Sequence, residues 1–409
     1  MGEVATVCDV LVIGAGPGGG NAALHSARAG LTTILIEDHA EIGTPVHCGE
    51  CISDVACDNL NLDLPDHVIS KRVHGIRVIF PDGTEKKLTE EGYVLEKHLF
   101  ERWIADEAVS EGAVLNLNHK LTSMEKMFDG EKFTGWRCDG KGDHFPIETK
   151  VVIDASGVAG ICSKILELKP RPQVIAGMQY EMLEVPTDDY LDFYIWPKYA
   201  EKGYVWMIPK CDGRANVGLV SEDKSRTKKG LDEFIEDTHF KDLEQVAPPW
   251  KVKGNPAFGG TIPISGPHEN THTDGLMLVG DAAGFTSPLF EGGSHLALKS
   301  AVFAAETAAK AIASGDYSSS SLAEYSNLWK NEFPPYSKIL RGKSALFDLS
   351  DDDMSLMAQC FPDEMSNMGI SGKLAVCMKI LVRRPSLYVK KIIPAMLSFG
   401  YSRAKYYGW

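Results

Sequence analysis

Residues 8–37, CDVLVIGAGPGGGNAALHSARAGLTTILIE, restrict the folds open to this chain more than any other stretch. Val10 to Ile13 is a short apolar run with β-branched residues, suited to a strand buried on both faces. Gly14, Gly16 and Gly19 then spell GxGxxG, and residues 21–29 are small and helix-compatible. A second apolar run, residues 32–36, ends at Glu37. Each piece has a task in holding a dinucleotide. Gly14 permits a tight turn, Gly16 lets the backbone approach a pyrophosphate, and Gly19 lets helix and strand pack closely. The free N–H groups of the helix N-terminus attract phosphate. Glu37 stands where an acid can accept hydrogen bonds from ribose hydroxyls. A merely glycine-rich α/β turn would not need this order of strand, glycines, helix, second strand and terminal acid.

The rest of the chain narrows the class. Its 409 residues predict about two to three domains. A formal net charge of -14 argues against nonspecific nucleic-acid binding. The N-terminus lacks a cationic region followed by an apolar one, and no apolar run is long enough to span a membrane. Nine cysteines, odd in number and scattered, point to a reducing, cytoplasmic setting rather than a secreted disulfide framework.

Along the chain, residues 38–53 read as an extended loop, and residues 73–88 as a hairpin turning at Pro81-Asp82-Gly83. Residues 94–112 carry two helical rows, Leu95, Leu99, Trp103 and Phe100, Ile104, Ala108. Residues 114–116, 133–139 and 151–153 read as strands. Between residues 174 and 263 the texture changes to aromatic-rich strands at 178–183, 191–196, 203–209 and 215–220, the pattern of a sheet that covers a substrate. Residues 276–279 return to a buried strand, and residues 294–314 form an Ala-rich helix. Ser321 and Glu324 predict a capping box for the next helix. From Gly372 to Trp409 no acid occurs. There Lys373, Lys379, Arg383, Arg384, Lys390, Lys391, Arg403 and Lys405 lie among Leu374, Met378, Leu381, Ile392, Ile393 and Met396. This basic amphipathic segment suits either an anionic membrane surface or packing against the acidic body.

A second cluster, residues 276–298 (LMLVGDAAGFTSPLFEGGSHLAL), complements the first. A strand ending in Gly280-Asp281 puts a carboxylate where a second ribose or ribityl hydroxyl can be held. Gly292 and Gly293 allow close approach to a planar ring, and the helix that follows places positive potential near that ring's edge. The competing reading is a glycine loop with an ordinary Asp cap.

With these motifs the chain resembles the geranylgeranyl reductase family of FAD-dependent enzymes, within the p-hydroxybenzoate-hydroxylase-like flavoprotein superfamily. It is especially similar to the archaeal digeranylgeranylglycerophospholipid reductases, which saturate isoprenoid chains of membrane lipids. The resemblance runs through the opening fingerprint, PVHCGECIS at 45–53, YVLEKHLFERW at 93–103, GYVWMIPK at 203–210, ANVGL at 215–219 and GDAAGFTSPLFEGG at 280–293. It implies an α/β fold. A discontinuous Rossmann-type FAD-binding domain would span residues 1–72, 94–165 and 270–318. An inserted antiparallel-sheet substrate domain would span 73–93 and 166–269, and a helical region 319–409. FAD contacts are implied at Gly14, Gly16, Gly19, Glu37, Asp38, Cys48, Gly49, Lys97, Asp281, Gly292 and Gly293. A lipid tunnel is implied past Tyr204, Trp206 and Pro209. Lys97 stands where the family has arginine, keeping charge without the bidentate fork. Ile208 replaces an aromatic residue, Cys51 is an added cysteine, and Phe290, Glu291 and His295 lean towards the FixC and electron-transfer-flavoprotein:quinone oxidoreductase group.

An isolated alkene is not electrophilic, so hydride from reduced FAD needs an acid to protonate the other carbon. Cys48 is the first candidate and His295 the second, while Tyr204 and Trp206 would support cationic character on carbon. Each residue also has a plainer reading: His295 as a buried, hydrogen-bonded histidine, Tyr204 and Trp206 as sheet core. The Cys48/Cys51 CxxC has no second ligand pair for zinc, so no metal is expected, and it leaves a redox disulfide open. Two other functions share the fold, an electron-transfer dehydrogenase and an FAD monooxygenase. The reductant is an external donor, with NAD(P)H, ferredoxin and a deazaflavin all compatible. The basic segment leaves two readings open, peripheral contact with the inner face of the membrane and packing on the acidic body.

Overall fold

The computed structural model describes residues 5–168, 172–248, 250–251, 256–387 and 392–409; Lys390 and Lys391 of the basic segment lie outside them. Thr6–Ile13 becomes the middle of a sheet because its apolar run is buried on both faces, with Val10, Leu11 and Val12 fully inaccessible. It pairs in parallel with Thr33–Ile36 on one side and Ile147–Asp154 on the other. Val114–Asn116 and Leu276–Leu278 extend the parallel set outward. The register levels the strand ends. Ile13 stands opposite Ile36 and Asp154, and Asp154 opposite Leu278. Gly14, Glu37, Ala155 and Val279 therefore leave the sheet at one edge, the carboxyl edge where ligands bind in open α/β sheets. Lys132–Lys141 and Lys120–Asp129 add an antiparallel hairpin to Ile147–Asp154; the second of these strands, half exposed and rich in charge, is not marked in the sequence.

The helix Pro17–Arg28 lies across this sheet and against Lys97–Ser110 and Ser294–Ser314. It can do so because its packing face is stripped. A Cβ on Gly18 would meet Ala297, and one on Gly20 would meet Ile104. Asn21 Nδ2 donates to Leu298 O at 2.8 Å. The Phe100, Ile104 and Ala108 row of Lys97–Ser110 is buried as expected, but the helix starts later than its periodicity implies. Gly92–Leu95 is a strand, held between Cys51–Ser53 and Ile69–Val73, and the Leu95 N–H donates to Glu50 O at 2.8 Å. The capping box is also displaced. Ser318, not Ser321, caps Ser319–Glu332 by accepting from the Ser321 N–H.

The second sheet is mainly antiparallel. Val174–Met182, Ala215–Ser221, Tyr204–Pro209 and Tyr190–Tyr194 are neighbours, and Phe258–Pro263 pairs with the first of them. The hairpin Gly75–Ile79 and Glu85–Leu88 joins its edge, Gly75–Ile79 running parallel to Tyr190–Tyr194. Beyond residue 319 the chain is helical among the described residues, and no described helix is long and apolar enough to cross a membrane. Ile370–Arg383 packs only Val376 and Ile380 fully inward. The chain then returns: Gly408 O accepts from the Ser53 N–H at 3.0 Å, and Tyr407 and Trp409 are buried.

Candidate active site

The carboxyl edge of the first sheet and one face of the second enclose a single cavity of about 490 Å³. One wall is made of backbone. At Gly14 φ is +92°, and a Cβ would lie 2.8 Å from Ala155 O; at Gly19 a Cβ would lie 1.7 Å from Gly14 O. Both positions demand glycine. Gly16 has open space where its Cβ would be, and it caps Pro17–Arg28 without a side-chain hydrogen bond. The helix N–H groups thus face the cavity with no competing oxygen. The same holds at Gly293, which caps Ser294–Ser314 with no side-chain partner. Two helix N-termini open on one cavity.

The acids lie at its ends. Glu37 Oε2 accepts from the Ala15 N–H at 2.8 Å, and Oε1 from the His39 N–H at 3.0 Å. Asp38 pairs with Lys120 at 2.9 Å; partial burial would raise its carboxyl, but Lys120 and His39 hold it below its ordinary value. Asp281 is partly buried and raised by desolvation, with Thr286 Oγ1 donating to Oδ1 at 2.8 Å. Glu37 and Asp281 line the same cavity, on the same side of the molecule. Backbone cradle, uncapped helix ends and terminal carboxylates fit an extended dinucleotide.

The loop carrying Cys48 and Gly49 crosses between the walls. Cys48 and Cys51 are both free and partly buried in this structure. Burial raises the Cys48 thiol, against the pull of Lys97. Lys97 is buried too; desolvation works against its charge, but Glu101 at 2.6 Å and Cys48 outweigh it. Beneath the loop lies a charged network that sequence reading missed. Glu50, with φ at +75°, accepts from the Lys97 N–H through Oε1 at 3.1 Å and from Lys210 Nζ through Oε2 at 2.8 Å. Lys210 also meets Glu96 at 3.0 Å, and Glu96 meets Arg214 at 2.7 Å. Lys210 and Glu50 are each only 2% exposed, so this is a fully desolvated pair held by compensating partners.

The opposite wall is aromatic. Tyr204 stands 5.0 Å from Phe193, 5.6 Å from Phe290 and 6.0 Å from Trp206, ring centre to ring centre. Tyr204 Oη donates to Phe290 O at 2.8 Å. Trp206 Nε1 donates to Gln179 Oε1 at 3.0 Å, and Gln179 Nε2 donates to Cys48 O at 2.8 Å. Tyr204 and Trp206 are thus both sheet core and cavity wall, joined through Gln179 to the cysteine loop. Gly218 beneath Trp206 makes room for the indole, since a Cβ there would lie 2.3 Å from it.

Not every expected residue arrives. His295 is not on the cavity wall; its side chain packs beneath Gly408, neither ring nitrogen has a hydrogen-bond partner, and burial lowers its pKa to about 4. It is neutral and buried, as its plainer reading had it, and its place off the cavity wall sets it apart from the flavin-proximal acid. In its place the chain's last residues intrude. Tyr407 and Trp409 line the cavity, and a Cβ on Gly292 would collide with Trp409. Nothing in their local sequence signals that return.

This fold and cavity define an FAD-dependent oxidoreductase: residues 9–164 match the family model for FAD dependent oxidoreductases, and residues 173–248 the geranylgeranyl reductase catalytic domain. The chain is 36% identical to the digeranylgeranylglycerophospholipid reductase of Methanocaldococcus jannaschii, over 96% of this chain and all of that one. It is 32% identical to the enzyme of the same name from Methanococcus vannielii, over 94% and 98%. A crystal structure of a geranylgeranyl bacteriochlorophyll reductase-like protein from Thermoplasma acidophilum superposes with a TM-score of 0.83 at 30% identity, covering 94% of this chain and 98% of that one. A flavin-dependent brominase shares the fold at 20% identity and a TM-score of 0.69, over 97% and 100%. The chain belongs to the digeranylgeranylglycerophospholipid reductase family.

Proposed function

We propose that this protein saturates isolated C=C bonds in the geranylgeranyl chains of membrane lipid precursors. The observation that carries this reading is the continuity of one cavity, with a dinucleotide cradle on one wall and aromatic rings on the other. FAD bound there would, once reduced, supply hydride. Gly14, Gly16 and Gly19 would hold its pyrophosphate, Glu37 and Asp38 the adenosine ribose, and Asp281 the ribityl chain, with Cys48, Gly49, Lys97, Gly292 and Gly293 beside the ring. Tyr204, Trp206 and Phe193 exclude water and face any positive charge that develops on the more substituted carbon. Cys48 is the thiol acid of this arrangement; burial keeps it protonated at neutral pH.

The electrons come from an external donor. The lipid comes from a membrane that the protein meets through Ile370–Arg383. On that helix Ile370, Leu374, Met378 and Val382 repeat every four residues and are 80%, 62%, 56% and 78% exposed, beside Lys373, Lys379 and Arg383. In an otherwise acidic chain this is a surface for an anionic bilayer.

The test is anaerobic photoreduction of the bound flavin followed by an unsaturated archaeal lipid. Flavin reoxidation with a two-hydrogen mass gain in the lipid is expected, and Cys48→Ala should slow it while FAD stays bound. Flavin that is reoxidised by a quinone but not by the lipid, or a hydroxylated product on admitting oxygen, would overturn the reading in favour of electron transfer or monooxygenation.

A further inference from the structure

Each saturation breaks one π bond and forms two C–H bonds. One hydrogen arrives as hydride from the reduced flavin, which is oxidised by two electrons. The other arrives as a proton, and its ultimate source is water. The aromatic wall is built of the buried Phe193, Tyr204 and Trp206, and a proton consumed against it needs a route. Among the described residues, Glu291 is the acid on that wall that offers one. Glu291 follows Phe290, holds φ at +51°, and is 3% exposed. Its Oε1 faces Lys343 Nζ at 3.4 Å, and its Oε2 has no hydrogen-bond partner. Lys343 is itself buried and lies 4.0 Å from Glu222, which is 39% exposed. Three residues thus run from solvent to the cavity wall, ending beside Tyr204, whose hydroxyl feels both Glu291 and Cys48.

We propose that Glu291 is the residue through which the buried site draws the proton each reduction consumes, replenished from water by way of Glu222 and Lys343. The inference rests on the alkene-reduction reading above. Glu291 gives up its proton towards the cavity, replacing the one Cys48 delivers to carbon. It is left as a carboxylate facing the Lys343 ammonium, which passes a proton to it and regains one at the Glu222 end. Burial supports the role by raising the Glu291 carboxyl to about 7, against Lys343 and the Tyr204 hydroxyl, which lower it, while Glu222 adds a small upward push. The acid is then loaded below that pH and empty above it. Glu291 is a delivery residue, not one that touches the reacting carbons.

The photoreduced holoprotein, mixed with the unsaturated lipid at a series of pH values, tests this. The wild-type rate should fall as pH rises through about 7, and Glu291→Gln should be slower by roughly tenfold to a hundredfold with that fall abolished. Lys343→Gln removes both the cation that favours the carboxylate and the group that reloads it, so the first reduction after photoreduction should show its fall at higher pH while repeated turnover slows. Infrared titration of the oxidised holoprotein should show a carboxylic-acid band that disappears near the same pH and is missing in Glu291→Gln. A wild-type rate and pH profile in Glu291→Gln, or no such band in the wild type, overturns the proposal. A wild type that the lipid cannot reoxidise overturns the reading beneath it instead, and the two failures are told apart in that one sample.

Discussion

The two walls of the cavity are built by opposite means. The nucleotide wall consists of what side chains leave out: Gly14, Gly16 and Gly19 expose backbone, and two helix N-termini are left uncapped. The lipid wall and the loop between consist of side chains that brace one another at long range, Trp206 on Gln179 on Cys48 O, and Glu50 on Lys210 on Glu96. The first wall should break at a single atom, because backbone has nowhere to go. The second should fail by degrees, because its parts share load.

The most severe change is therefore the smallest. Gly19→Ala puts a methyl group 1.7 Å from Gly14 O, where strand, turn and helix are all fixed. We expect a loss on the order of 5 kcal/mol of stability and a protein purified without flavin colour. Native-like thermal stability with full FAD content would show that the turn yields, and the contrast between the walls would go. Lys210→Met tests the other side. It leaves Glu50, Glu96 and Glu181 buried around a lost cation, at a cost of about 3 to 5 kcal/mol. Chemical denaturation measures this, and FAD affinity should fall with it because Glu50 anchors the loop of Cys48 and Gly49. The sharper comparison is the double change Glu50→Gln with Lys210→Met, which should cost less than the sum of the single changes if the two residues act as a pair.

The same difference decides what could be read in the sequence. Backbone-built features leave short, ordered motifs: the GxGxxG unit, the acid at Glu37 and the Gly280-Asp281 end of a strand were each legible because their spacing is set by one turn. Long-range bracing leaves none. Glu50 and Lys210 are 160 positions apart, and Gln179 looks like any strand residue until it is found between Trp206 and Cys48. His295 misled for the reverse reason: it stands one residue inside a helix that opens on the cavity, but the direction of its side chain is set by packing under Gly408, a residue more than 100 positions later. Helix starts went astray in the same manner. Residues 94 and 95 have helical periodicity, but strand partners from residues 51–53 and 69–73 claim their N–H and C=O groups first.

Trp206→Phe probes the bracing at lower cost. It leaves Gln179 Oε1 without its donor and should lose roughly 1 to 3 kcal/mol. The informative readout is the flavin. If the Trp206–Gln179–Cys48 line couples the walls, the visible spectrum of bound FAD should shift in Trp206→Phe, although Trp206 is outside the set proposed to hold the flavin. An unchanged spectrum would mean the walls are independent.

The least costly change touches neither wall, and for that reason isolates access from chemistry. Lys373→Glu with Lys379→Glu reverses two exposed charges on Ile370–Arg383, whose outward side contributes little to the fold. Stability should move by no more than about 0.5 kcal/mol. Binding to vesicles containing anionic lipid should weaken by about 1 kcal/mol for each lysine lost, and the weakening should fade as salt is raised. Turnover of detergent-dispersed lipid should be unchanged, while turnover of lipid held in vesicles falls. That split follows only if the helix serves delivery to the cavity rather than the cavity itself. Equal losses with both forms of lipid would place the basic segment in support of the aromatic wall, through Phe399 against Phe290, and the membrane would have no part in it.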